Sequence, residues 1–157
     1  VLAAANTVKD SWRAPTLWVN CAMLTAFSPF ENMTATEFSV ITDATYIGQV
    51  NGCRAALDVM TRGRIINIGS GLSYRSVPFQ SAYCGAKHAI NGFSAALRCE
   101  LLRKGSEVKL SLIQLPAVNT PPTCRPRASS SRALRGLPRA VTTAPSPATA
   151  RAPMEAS

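Results

Sequence analysis

Tyr83 and Lys87 stand four residues apart in the stretch SAYCGAKHAI. On a helix that spacing puts both side chains on one face. A tyrosine hydroxyl ordinarily titrates near ~10. A neighbouring ammonium and the positive end of a helix both favour the phenolate. The pair therefore predicts a lowered tyrosine pKa and a group that exchanges a proton with an alcohol or carbonyl near neutral pH. Ser70 comes thirteen residues earlier, between Gly69 and Gly71. A hydroxyl there can hydrogen-bond the oxygen of a reacting carbonyl and stabilise its developing charge.

These residues need elements that bring them together. LWVNCA (17–22) reads as a short buried strand. Thr34 can cap a helix, with Glu37 three residues on completing a capping box. Phe38, Ile41, Tyr46, Val50, Cys53, Leu57 and Met60 then recur at roughly helical spacing. Gly48 and Gly52 weaken this helix by about 1 kcal/mol each relative to Ala. Their spacing suits either a close-lying helix or small residues packed on a sheet. RIINIG (64–69) is a second strand, ended by GSG. A second long helix spans about 80–104, with Ala82, Ala86, Ala89, Ile90, Phe93, Ala96, Leu97 and Leu101 as its apolar face. Gly105 stops it, and VKLSLIQL (108–115) is a third strand closed by Pro116. Strand, helix, strand, helix, strand favours an α/β fold with a parallel sheet. Ligands of such sheets bind beyond the carboxyl ends of the strands, here the residues after 22, 69 and 115.

Composition narrows the function. The 157 residues are 46% hydrophobic and carry a net charge of +9. Residues 1–120 hold 11 basic and 7 acidic residues, while residues 121–157 hold six Arg and one acid. More than half of the excess charge thus lies in the last quarter, so it is no sign of a nucleic-acid surface on the folded part. No RRM, KH or helix-turn-helix pattern accompanies it. No apolar run reaches membrane-spanning length. Five scattered cysteines without a CxxC pair suit reduced thiols and a cytoplasmic protein. One histidine, His88, makes a zinc site improbable. Ser70, His88 and Asp58 do not read as a hydrolase, because the local text GSG is no nucleophile elbow. Cys84 and His88 read as packing or surface residues. Residues 121–157 contain seven Pro and eight Ala but no Lys, Asp, Asn, Gln, Ile, Phe, Tyr, Trp or His, which predicts a disordered tail after a folded unit of residues 1–120.

LWVNCAM, RIINIGSGLSYRSVPFQSAYCGAKHAINGFSAALRCEL and LIQLPAVNT together resemble the short-chain dehydrogenase/reductase family over about residues 16–120. The resemblance implies the catalytic half of a Rossmann-like, doubly wound parallel sheet of three strands and two long helices. It also implies a nicotinamide cofactor, NAD or NADP, and reversible carbonyl–alcohol chemistry on a small molecule. By matching position, Tyr83 resembles the catalytic acid/base, Lys87 the residue that holds the nicotinamide ribose, and Ser70 the substrate-orienting hydroxyl. Asn20 and Ala22 match the family's NNAG segment, Ile68 and Gly69 would line the cofactor, and Thr120 matches a threonine that touches the nicotinamide. The family is also known to associate through its two long helices, which makes a homo-oligomer an expectation. The chain departs from the pattern in places. It has no glycine-rich dinucleotide loop, NNAG reads NCAM, and Thr45 stands where the family places a catalytic Asn. The other class compatible with these departures is a non-catalytic remnant or interaction module that has lost cofactor binding.

Overall fold

The computed structural model describes residues 1–11 and 13–117. Thr120 and the tail from 121 onward lie outside the described residues. The elements run α1 (Leu2–Ser11), β1 (Leu17–Asn20), α2 (Ala35–Thr42), α3 (Gly48–Val59), β2 (Gly63–Ser70), α4 (Ser81–Arg103) and β3 (Val108–Leu115). The three strands form one parallel sheet in the order β1-β2-β3. Val19 pairs with Ile66, and Ile66 with Ser111.

The expected capping box is present at Thr34. Its backbone N–H donates to Glu37 Oε2 at 3.0 Å, and the Glu37 N–H donates to Thr34 Oγ1 at 3.2 Å. The helix that follows is not uniform. Residues Asp43–Ile47 form a π-turn between α2 and α3, which shifts the side-chain register of everything after it. β1 ends at Asn20, so Cys21 and Ala22 fall beyond the strand. Nor is it buried as expected: Leu17 and Val19 are 59% and 52% exposed. β1 is an edge strand, and both side chains point to the sheet face that carries no helix among the described residues. α1 lies in a stretch whose mixed residues suit part of an element without fixing its type, because only Ala5 of its ten residues is buried and it leaves no periodic trace.

The core lies on the other sheet face. Ile65, Val108 and Leu110 from the sheet pack with Cys53, Ala55, Ala56 and Val59 of α3, Leu101 of α4 and Ala5 of α1. Ala82, Ala86 and Ile90 are buried along α4 as expected, but Ala96 is exposed. Beneath α3 and α4 runs a polar seam. Asn20 Nδ2 donates to Asn67 Oδ1 at 2.8 Å, and Trp18 Nε1 to Asn20 Oδ1 at 2.8 Å. Asn67 Nδ2 donates to Ser94 Oγ at 3.0 Å, and the Cys53 thiol joins both asparagines at 3.3 Å. A buried amide is costly unless its groups are paired, and these pairs tie β1, β2, α3 and α4 together. Gly52 is the space that admits Asn20: a Cβ there would collide with the Asn20 side-chain oxygen. Of the two roles open to the Gly48/Gly52 pair, Gly52 thus takes the one against the sheet.

Candidate active site

All three strands run parallel, so their carboxyl ends gather at one edge. Ser70 is the last residue of β2, and Tyr83 lies in the first turn of α4. The structure places the Ser70 side chain near enough to the Tyr83 hydroxyl to favour its phenolate. Ser70 is itself fixed. Its Oγ accepts from the Leu72 N–H at 3.2 Å, and its backbone N–H donates to Ser73 Oγ at 3.3 Å. Ser73 in turn donates to Gln114 Oε1 at 3.1 Å, which ties the Ser70 turn to β3.

Lys87 lies one turn after Tyr83 on the same face, only 2% exposed. Its Nζ donates to the Ile68 carbonyl at 2.8 Å and sits 5.7 Å from the centre of the Tyr83 ring, within cation–π range. The electrostatics differ from the sequence expectation. Burial raises the Tyr83 pKa above 10.0, and the nearby Ser70 side chain only partly opposes this. Burial likewise lowers the Lys87 pKa below 10.5, with Cys21 offsetting part of the effect. Desolvation of each group outweighs the attraction that spacing alone suggested.

The other candidates sort less uniformly. Ile68 contributes its carbonyl, and Gly69 is buried against the Gln114 side chain at the strand end. Asn20 has both side-chain groups committed to the internal polar seam. Ala22 is exposed on the loop after β1. Thr45 is fully buried in the π-turn, and its hydroxyl both accepts from the Leu24 N–H and donates to the Leu24 carbonyl, each at 2.9 Å. It therefore pins the loop after β1. His88 is exposed, with Nδ1 2.8 Å from the Cys84 carbonyl, and Cys84 is buried.

Two residues at this edge escaped the sequence reading. Gln49 is 1% exposed and donates through Nε2 to the same Ile68 carbonyl, at 3.0 Å. Gln80, just before α4, is buried as well. Each keeps a buried Oε1 without a protein hydrogen-bond partner. Gln49 follows Thr45 by four residues, and that stripe was the available signal. Phe79, preceding Gln80, holds a φ of 67°, uncommon for a side chain of that size. Its carbonyl accepts from the Ser28 N–H at 3.0 Å, which joins the loop after β1 to the start of α4. Among the described residues no three His, Cys, Asp or Glu side chains come together as a metal site, and no helix is long and apolar enough to cross a membrane.

The three-stranded parallel sheet gathers Ser70, Tyr83 and Lys87 at its carboxyl edge, and comparison with known proteins gives the family. The short chain dehydrogenase family model matches residues 1–129, and the chain belongs to that family. It is 32% identical over 108 residues to the uncharacterized oxidoreductase YxnA of Bacillus subtilis, covering 66% of this chain and 30% of that protein. It is 33% identical over 121 residues to a 3-ketodihydrosphingosine reductase of Bacteroides thetaiotaomicron, covering 75% and 44%. With human retinol dehydrogenase 16 it shares 31% over 132 residues, covering 81% and 41%. The chain thus spans less than half the length of these relatives. A short chain dehydrogenase/reductase from Burkholderia phymatum, solved in complex with NAD, superposes with a TM-score of 0.76 at 23% identity, over 91% of this chain and 57% of that one.

Proposed function

We propose that the chain forms the proton-handling part of a NAD(P)-dependent oxidoreductase that interconverts a small-molecule carbonyl and its alcohol. The observation that carries this reading is the gathering of Ser70 at the end of β2, Tyr83 in the first turn of α4 and the buried Lys87 ammonium 5.7 Å from the Tyr83 ring. Two of the relatives are named for reductase or dehydrogenase activity, and one structural neighbour holds NAD. The odd, scattered set of cysteines supports a cytoplasmic setting.

The residues present fit the nicotinamide end of such a cofactor. Lys87 has three N–H donors and spends one on Ile68, which leaves two for a ribose hydroxyl. The nicotinamide supplies or accepts the hydride. Everything else falls to the protein. Ser70 orients the substrate oxygen by hydrogen bond. Tyr83, protonated because it is buried, gives its proton to that oxygen as negative charge develops. The nearby ammonium then stabilises the phenolate that remains. In the oxidative direction the same hydroxyl must first be deprotonated.

Tyr83→Phe in the protein at its full natural length tests this. The ring and its packing stay, and only the proton donor is lost. Carbonyl reduction should fall by at least about 10² to 10⁴-fold, while cofactor binding survives. A Phe variant with parental turnover and the parental pH–rate profile would remove Tyr83 as the acid/base.

A further inference from the structure

Ser70 owes its orientation to more than the strand it ends. Its Oγ accepts from the Leu72 N–H, so the path of the turn 71–73 aims the side chain and leaves its proton for a substrate oxygen. One buried hydroxyl holds that turn. Ser73, 2% exposed, accepts the Ser70 N–H on Oγ and shares its single proton between the Ser70 carbonyl and Gln114 Oε1. Beyond it the polar groups close a circuit. Gln114 Nε2 on β3 donates to Asn91 Oδ1 on α4, and Asn91 Nδ2 donates back to the Ser73 carbonyl at 3.3 Å. A carbonyl only accepts, so Asn91 turns its nitrogen to Ser73 and its oxygen to Gln114. Gln114 must then give its nitrogen to Asn91 and its oxygen to Ser73. Neither amide can flip without setting acceptor against acceptor. Gly69 makes the room: a Cβ there would collide with the Gln114 side-chain oxygen. Tyr83, Lys87 and Asn91 follow one another at four-residue spacing along α4, so the circuit ties the Ser70 turn to the side of the helix that carries the other two reactive groups.

We propose that Gln114 is the positioning residue for Ser70. With Asn91 it locks the Ser73 hydroxyl, and through Ser73 the turn, so that the Ser70 and Tyr83 hydroxyls converge on one substrate oxygen. Gln114 acts through Ser73 and not on the substrate. Without its amide the turn loses its tie to β3 and α4, and the Ser70 hydroxyl is presented out of place. A small misplacement of an orienting group costs turnover steeply. Cofactor affinity is spared, because Lys87 is held by the Ile68 carbonyl and not by this circuit.

The inference rests on the function proposed above, so the experiment has two arms. The first needs no activity. Amide hydrogen exchange is followed by NMR in the full-length protein, parent against Gln114→Met, which keeps the side-chain length and loses the amide. The Ser70 N–H should exchange at least about 10-fold faster, with the Ile65 N–H in the middle of β2 unchanged. An unchanged Ser70 rate overturns the proposal. In the second arm, kcat for carbonyl reduction should fall about 10-fold or more in Gln114→Met, with KM for the cofactor moving less than about threefold. A parental kcat overturns it. Gln114→Glu keeps an acceptor for Ser73, and Asn91 can turn its amide to meet it, so Glu should restore kcat to within about threefold of the parent. A Glu variant as slow as Met overturns the proposal. Ser73→Ala cuts the same link from its other end. It should be as slow as Gln114→Met, and the double variant no more than about threefold slower than either, since both remove one contact. Losses that multiply overturn it. If Gln114→Met does not fold, Ser73→Ala decides, and parental kcat there overturns the proposal. Tyr83→Phe is run alongside. If Tyr83→Phe is inactive and Gln114→Met is parental in kcat and exchange, only the role of Gln114 fails. If Tyr83→Phe keeps its activity, the reading of the whole site fails, and this proposal with it.

Discussion

At 2% exposure, Lys87 carries a charge that the folded chain tolerates at a cost. Its pKa is lowered by burial, so the folded state binds this proton less tightly than the unfolded state does. Lys87 therefore weakens stability at neutral pH, and the cost fades as pH rises toward 10.5. Lys87→Met should raise stability by about 1 kcal/mol at neutral pH, seen as a higher melting temperature, while abolishing turnover. The Ile68 carbonyl would still be paired by Gln49, so no acceptor is orphaned. A lower melting temperature would mean that the ammonium is better solvated than its burial implies. Tyr83 has the opposite sign. Its pKa lies above 10.0, so it stays protonated below that pH, and deprotonation costs stability only above it. Carbonyl reduction should accordingly hold level through neutral and mildly alkaline pH and decline only beyond 10. A decline already at about pH 7 to 8 would indicate that the ammonium, not burial, dominates.

The elements show what sequence patterning can and cannot reveal. Gly48 and Gly52 look equivalent in the sequence, yet they should respond oppositely to alanine. At Gly48 the nearest atom to an added Cβ is the Asp43 carbonyl oxygen at 3.5 Å, an ordinary contact. Gly48→Ala should therefore stabilise by about 0.5–1 kcal/mol through helix propensity. At Gly52 the methyl would meet Asn20, which Trp18, Cys53 and Asn67 hold in place. Overpacking costs about 1–3 kcal/mol, more than propensity returns, so Gly52→Ala should destabilise. Denaturant melts of the two variants check both signs. β2, α4 and β3 were legible because apolar runs end at Gly71, Gly105 and Pro116, and Thr34 with Glu37 announced its own cap. The π-turn was not, since a shifted hydrogen-bond pattern leaves no mark in apolar spacing. Ser70, Tyr83 and Lys87 were legible as a set because strand end and helix start fix their distance. Gln49 was not, because a polar residue on a helix reads as solvated until the fold places it under the sheet edge.

Across the whole molecule, helices cover one face of the sheet and leave the other bare among the described residues. Leu17 and Val19 of β1 and Ile113 and Leu115 of β3 are exposed on that face, with Ile66 and Ile68 between them. A dinucleotide's pyrophosphate is ordinarily held by backbone N–H groups at a helix N-terminus behind a glycine-rich turn. No such motif occurs in the 157 residues. Residues 1–157 on their own should therefore bind NAD(H) or NADP(H) far more weakly than a complete domain. A low-micromolar dissociation constant by calorimetry would contradict this.

The polar seam under α3 and α4 has a practical corollary in its cysteine. Cys53 is buried, hydrogen-bonded to Asn20 and Asn67, and its pKa is raised by burial. It is therefore shielded from a thiol reagent both sterically and by the scarcity of thiolate. Cys84, one residue from Tyr83, is buried as well, while Cys21 and Cys99 are exposed. The fold thus carries its own clock. Cys21 and Cys99 should react with an alkylating reagent without any opening of the fold. Cys53 and Cys84 should react only as often as the seam and the foot of α4 come apart. Peptide-resolved mass spectrometry over time would turn those two labelling rates into opening frequencies for the parts of the molecule that align the site.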